Sequence, residues 1–235
     1  MTIKILLTND DGIDAPGLEA LAVAAACLGG EAVVVAPAEP HSGCGHRVTT
    51  GRPLRVDELA PGRFCVHGTP ADCVRLALAR LAPDIGLVLA VTTEQTTTSR
   101  PIRRTATTSG TVAAAREAAL HGRVAVAASH YHRRGTEIDW RRAAAWLAGV
   151  LVELEGRPTA EGEFWNVNLP DVPIDAPPPA VVECRTDPSP FALGYRLADG
   201  GWHYDASYHE RPRVAGGDVD ICFSGGIAVS RLRVV

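Results

Sequence analysis

No apolar run in this sequence approaches the roughly 20 residues that a membrane-spanning helix needs, and no charged segment leads into an apolar core at its start. A membrane protein and a secreted precursor are therefore not expected, and the chain reads as cytoplasmic. Basic clusters are missing too. Lys and Arg number 23 against 27 Asp and Glu, a formal net charge of -4, which offers no footing for a nucleic-acid polymer. The six cysteines (Cys27, Cys44, Cys65, Cys73, Cys184 and Cys222) form no CxxC pair and no zinc spacing, so they read as small buried hydrophobes in a reducing compartment. The GxGxxG fingerprint of dinucleotide-binding folds does not occur, and no Walker lysine follows the glycines, which excludes a P-loop.

What is present is organised around Lys4 to Gly17, KILLTNDDGIDAPG. Ile3, Ile5, Leu6 and Leu7 form a short apolar run of the kind buried on both faces of a parallel sheet, and Thr8 to Gly12 supply turn chemistry. Pro16 and Gly17 then open a helical pattern through Leu18, Leu21 and Ala25. The acidic turn thus sits where a strand's carboxyl end meets a crossover, the place where open α/β sheets hold their ligands. Adjacent carboxylates such as Asp10 and Asp11 repel unless a cation or a shared proton lies between them. A hard divalent metal satisfies the pair, because Mg²⁺ and Mn²⁺ prefer carboxylate, amide and hydroxyl oxygens. A solvated Asx turn capping the helix is the alternative reading of the same residues.

Along the chain, strand-like and helix-like segments alternate. Strands are expected at 31 to 37, 64 to 66, 85 to 91, 124 to 128 and 165 to 169, and helices at 71 to 81, 111 to 121 and 138 to 154. Thr69 is placed to cap the first of these helices, with Pro70 in its first turn. The repetition predicts an α/β fold, a Rossmann-like three-layer core with a mostly parallel sheet. After Pro170 the prolines at 173, 177, 178 and 179 interrupt any helix. The segments 181 to 184, 195 to 197, 202 to 204 and 219 to 223 read as strands of a β-rich C-terminal extension. The division expected is a core at 1–180 and an extension at 181–235, packed on the core or reaching a neighbouring subunit.

Two further stretches bear on chemistry. The loop Pro37 to His46 places the Ser42 hydroxyl at the same sheet edge as the acidic turn, although a serine in a glycine-flanked loop is also an ordinary turn residue. His46 is a candidate proton donor or a structural histidine, and His41 is weaker still. Ser109-Gly110-Thr111 precedes the helix AAAREAAL, so a hydroxyl, a glycine and open N–H groups meet at a helix N-terminus. That arrangement suits phosphate, or a plain N-cap.

The segments ILLTNDDGIDAPGLEAL, VVVAPAEPHSGCGH, HGTPADCVRLAL, SGTVAAAREAAL and NVNLPDVP, in this order, resemble the SurE (survival protein E) family of metal-dependent 5'-nucleotidases over residues 1 to about 171. The first and fourth are the specific ones. The resemblance implies one divalent ion per subunit, Mn²⁺ or Mg²⁺, and hydrolysis of nucleoside 5'- and often 3'-monophosphates by a homodimer or homotetramer. It places the metal on Asp10, Asp11 and Ser42, with catalysis at the two aspartates. Phosphate falls to Ser109, Gly110 and Thr111, with Asn9 beside the metal and substrate.

The chain departs from that pattern after its fourth strand. Family members follow the strand with Ser-Gly-Ile-Asn-x-Gly-x-Asn, where the first Asn is a metal ligand and the second lies near the phosphate. Here residues 91 to 108 contain no asparagine, and no glycine occurs between Gly86 and Gly110. Three readings compete. Glu94 or Gln95 substitutes as an oxygen ligand; or catalysis is lost and only nucleotide or phosphate binding remains; or the reading frame is displaced. Read from the last base of the Val91 codon, Val91 to Thr96 permits Asn-His-Gly-Ala-Asn. A nucleotide-sugar transferase would also use paired acids on such a layer, but the serine-glycine-threonine helix start and the motif order favour the phosphatase.

Overall fold

Strand β1 (Lys4–Asn9) is the hinge of the sheet topology, and the apolar run predicted to be buried on both sides is: Ile5, Leu6 and Leu7 are all 1% exposed or less. This computed structural model describes residues 2–95, 109–133, 136–190, 194–205 and 211–234, excluding the side chains of 93–95. On one side β1 pairs in parallel with β2 (Glu31–Pro37), which pairs with β4 (Arg63–Val66). On the other side it pairs with β5 (Ile85–Gln95), then come β6 (Val124–His132) and β7 (Glu163–Leu169), all parallel. Helices α1 (Pro16–Ala25) and α4 (Trp140–Leu154) cover one face, burying Leu18, Leu21, Leu147 and Leu151 against Ile5, Leu7 and Trp165. Helices α2 (Pro70–Leu76) and α3 (Gly110–Leu120) cover the other, packing Val74, Ala114 and Ala118 on Leu6, Val88 and Phe164. This is the expected three-layer α/β architecture.

The differences from the sequence reading have physical reasons. Edge strand β3 (Val56–Ala60), antiparallel to β4, was not expected, because its Asp57 and Glu58 and its exposure hide any strand pattern. The helix expected to run to 81 stops at Leu76 and continues as a wider π-type turn through Leu81. The predicted strand at 219–223 is instead helix α5 (Asp218–Phe223). Val219 and Cys222 are buried three residues apart, and the Asp218 carboxylate accepts the Val219 N–H at 2.9 Å. Strands β8 (Val181–Glu183) and β11 (Ile227–Arg233) join the main sheet beyond β7, with β11 antiparallel to it. Strands β9 (Tyr195–Ala198) and β10 (Gly201–Tyr204) form a separate hairpin whose turn residues, Asp199 and Gly200, both have positive φ. All six cysteines are free. Cys65, Cys73 and Cys222 are buried as expected, but Cys27, at the end of α1, is exposed.

Thr69 caps α2 as predicted, in a reciprocal box with Asp72. Asp72 also accepts hydrogen bonds from the Thr49 N–H and hydroxyl, both at 2.7 Å, so one buried carboxylate ties the chain after the Ser42 loop to the start of a core helix. Burial alone would raise its pKa, yet these hydrogen bonds hold it below the ordinary carboxylate value. The resulting stabilisation is complete above about pH 4 and is lost as pH falls through the folded-state value. Asp72→Ala is expected to cost about 2–3 kcal/mol, because it strands buried donors at the Thr49 and Thr69 amides. Denaturant unfolding at pH 7 measures this, and a loss under about 0.5 kcal/mol, the level of ordinary surface changes, would show that the tie carries little stability.

Candidate active site

Strand order runs outward from β1 through β2 to β4, and outward from β5 through β6 to β7, so the chain reverses direction of travel between β1 and β5. The carboxyl ends of these two strands therefore flank the crevice where such sheets bind ligands. Asn9 stands opposite Val91 there, and the acidic turn follows at once. Asn9 is fully buried, and its side chain closes the turn: Nδ2 donates to Gly12 O at 2.6 Å and Oδ1 accepts from Gly12 N at 3.2 Å. Gly12 has φ of 104°, a region that disfavours any side chain, and the next amide, of Ile13, bonds to Pro37 O at the end of β2. The turn is thus moulded to present Asp10 and Asp11 at a set place.

Asp10 is fully buried and Asp11 half-buried. The Thr111 hydroxyl donates to Asp10 Oδ1 at 2.9 Å, and the Thr92 hydroxyl, on β5 one residue past Val91, reaches Asp11 Oδ2 at 3.3 Å. Gly110 opens α3 directly against Asp10. A Cβ at Gly110 would lie 2.7 Å from Asp10 Cβ and 2.9 Å from its Oδ2, so only glycine lets the helix start approach this closely. Ser109 is the N-cap, its Oγ accepting from Val112 N at 3.2 Å. The N-cap reading is therefore correct for its hydroxyl, and the helix end beside Asp10 still presents the amides of Gly110 and Thr111. The loop bearing Ser42 is hooked to the acidic turn by His41 N, which donates to Asp10 O at 2.7 Å, and Ser42 itself is exposed.

Of the residues singled out in the sequence, Asp10, Asp11, Gly110 and Thr111 meet at one point, Ser109 fixes the helix that brings them there, Asn9 shapes the turn, and Ser42 lies on the adjoining loop. The side chains of Glu94 and Gln95, the substitute ligands, and residues 96–108 lie outside what the structure describes. Strand β5, expected to end at Val91, pairs with β6 as far as Gln95 opposite His132. This extension carries Thr92 to Asp11. Thr92 was overlooked because a threonine in a threonine-rich run has no local signature; its place on β5, one residue past the Val91 that stands opposite Asn9, identifies it.

Glu117 was also overlooked, since AAAREAAL reads as an ordinary surface helix. It is buried and collects His46 Nε2 at 2.6 Å, His121 Nε2 at 2.9 Å and Arg75 Nε at 3.2 Å. Burial pushes its pKa up, but these hydrogen bonds and the Arg75 charge outweigh it and hold the carboxyl below its ordinary value. His46 is thus structural, clamping the chain just after the Ser42 loop onto α3.

The donor chemistry suits a hard cation. Asp10 and Asp11 supply two carboxylates with hydroxyl oxygens nearby, and no group of three or more His, Cys, Asp or Glu that could hold a metal ion occurs among the described residues. No helix among the described residues is long and apolar enough to cross a membrane.

Paired acids facing a helix start at the switch point of an open parallel sheet place the molecule among the α/β proteins that hold their ligands in this crevice. Comparison with known proteins narrows this. The family model described as Survival protein SurE matches residues 5–186. A protein of Nostoc sp. is 44% identical over 99% of this chain and 100% of its own. Proteins named 5'-nucleotidase SurE from Rhizorhabdus wittichii and Geobacter sulfurreducens are 40% and 42% identical over 72% and 74% of this chain, spanning 66% and 64% of their own lengths. The crystal structure of SurE protein from Aquifex aeolicus matches with a TM-score of 0.78 and 26% identity, covering 99% of this chain and 94% of that one. The chain belongs to the SurE family.

Proposed function

We propose that this protein is a 5'-nucleotidase that hydrolyses nucleoside 5'-monophosphates to nucleoside and phosphate with the help of one divalent ion, Mn²⁺ or Mg²⁺. The observation that carries the reading is the approach of the α3 start to Asp10, with Gly110 leaving room for nothing larger than hydrogen. The names of the relatives from Rhizorhabdus and Geobacter support the same reaction. Asp10, Asp11 and Ser42 would hold the cation, which when bound polarises a phosphate oxygen. The amides of Gly110 and Thr111 donate to the phosphate oxygens and meet charge developing there, aided by the positive end of the helix dipole. Thr111 and Thr92 orient the two aspartates through their hydroxyls, and Asp10 orients the attacking water and accepts its proton. Asn9 positions this machinery by fixing the turn rather than by touching substrate. The same cleft would take 3'-monophosphates, whose phosphate presents identical oxygens. The six free thiols fit the cytoplasm, and the active unit is a homodimer or homotetramer, which light scattering of the purified chain tests.

The deciding assay is phosphate release from AMP by the purified chain with Mn²⁺, with Mg²⁺ and after chelation. Expected are turnover with metal, loss with chelator and recovery on adding Mn²⁺. Nucleotide binding by a folded protein without release in any condition would establish a binding protein instead, and release unaffected by exhaustive chelation would remove the metal from the mechanism.

A further inference from the structure

A cavity of about 280 Å³ opens at the carboxyl edge of the sheet, walled by His130, His132, Thr136, Arg142 and Asp171 among others. His130 stands at the end of β6, opposite Thr93 of β5. Strand β6 lies two places from β1, about 10 Å away at the usual strand spacing, which is the scale separating phosphate from base in a nucleotide.

The charges around this cavity decide what it can take. Its arginines are already engaged. Arg142 donates to the carbonyls of Val172 and Pro173 at 2.7 and 2.8 Å, and Arg133 donates to Asp171 Oδ2 from its backbone N at 2.7 Å and from Nε at 3.3 Å. Glu137, Asp139 and Asp171 add three carboxylates to the walls. A second phosphate would be repelled there, whereas a neutral heterocycle with N–H donors is matched. His130 stacks on Trp146 with centroids 6.5 Å apart and rings inclined by 19°, and the Arg142 guanidinium lies 4.6 Å from the same indole centroid.

The hydrogen bonding of His130 is set by its backbone neighbour. Its Nδ1 lies 2.8 Å from Tyr131 O, so Nδ1 carries the proton and Nε2 of the neutral ring is an acceptor. Burial pulls the pKa of this histidine below its ordinary value, against the opposing hydrogen bond to Tyr131, which keeps the ring neutral near pH 7. We infer that this cavity receives the base of the substrate, with His130 Nε2 accepting a hydrogen bond from an exocyclic amino group such as that of adenine. The inference rests on the nucleotidase reading above.

The test compares AMP, inosine 5'-monophosphate, which has a carbonyl in place of the amine, and ribose 5-phosphate, which has no base. Each is assayed in Mn²⁺ with the wild-type chain and with His130→Phe. Wild type should favour AMP over the inosine nucleotide by about tenfold in kcat/KM, the scale of one buried hydrogen bond, and should be inhibited competitively by adenosine. His130→Phe should raise KM for AMP about tenfold, erase the preference over the inosine nucleotide, and leave ribose 5-phosphate turnover unchanged. Thr136→Arg, at an exposed position on the cavity wall, should raise KM for AMP in the same way and guards against a folding defect in the His130 variant. Equal wild-type kcat/KM for all three substrates with no inhibition by adenosine would overturn the base site alone. An unchanged KM for AMP in both folded variants would also overturn it. No release from any of the three would instead overturn the phosphatase reading on which it depends.

Discussion

Asp10→Asn and Asp11→Asn are each expected to lower kcat for AMP by at least about 10³-fold, near the upper end of what loss of one charge-stabilising group costs an enzyme. The substitution preserves shape. An Asn carbonyl oxygen can still accept from Thr111 at position 10 or from Thr92 at position 11, so the hydrogen bonds at 2.9 and 3.3 Å have a counterpart. What is removed is the negative charge that would hold a cation and, at Asp10, the group that would take the proton of water. Thermal stability should therefore change little while turnover collapses. Replacing Asp10 also ends carboxylate crowding with Asp11, so nucleotide binding itself should persist in equilibrium dialysis. Single variants that retain activity within about tenfold of wild type would move the reaction away from this turn.

Gly110→Ala is the second large effect, and it comes from space rather than charge. The added Cβ would stand 2.7 Å from Asp10 Cβ and 3.2 Å from Asp10 Cγ, closer than side-chain atoms pack, and Asp10 is fully buried with no room to retreat. Either the start of α3 or the acidic turn must give way. Overpacking of this kind costs about 1–3 kcal/mol, and a displacement near 1 Å at reacting groups costs about 10²-fold in rate. The expected result is a fall in kcat/KM of about 100-fold together with a Tm lower by roughly 2–10 °C. Gly149→Ala is the control. Gly149 is exposed within α4, and an added Cβ there meets nothing within 4 Å, so alanine should be neutral or stabilise by up to about 1 kcal/mol through helix propensity. Near-wild-type activity in Gly110→Ala would mean that the close approach of α3 to Asp10 is not needed for turnover.

The described part of residues 91–108 is strand as far as Gln95, and its Thr92 hydroxyl donates to Asp11. Sequencing the gene across Val91 tests the displaced reading frame directly: codons that do not permit Asn-His-Gly-Ala-Asn in the shifted frame eliminate it.

By itself the sequence determined the layered α/β class, the buried first strand, the acidic turn at its end and the Thr69 cap of α2. Each of these is written in neighbouring residues: an apolar run closed by Asn-Asp-Asp-Gly, or a threonine three places before an aspartate. Local chemistry constrains local backbone, and the alternation of strands and helices then limits the sheet to few arrangements. Tertiary structure alone decided which distant groups meet. Thr92 reaches Asp11 only through the pairing of β5 with β1, and Glu117 gathers His46 from 71 residues away; neither partnership has a periodicity to read. The same holds where local signals mislead. A short, mostly apolar segment such as 219–223 satisfies strand and helix equally until burial of Val219 and Cys222 on one side selects the helix, and charged β3 becomes a strand only because β4 offers it an edge. The histidine-lined cavity is the furthest such case, because its walls come from the ends of β6, α4 and β7 and exist only once the sheet has brought those ends together.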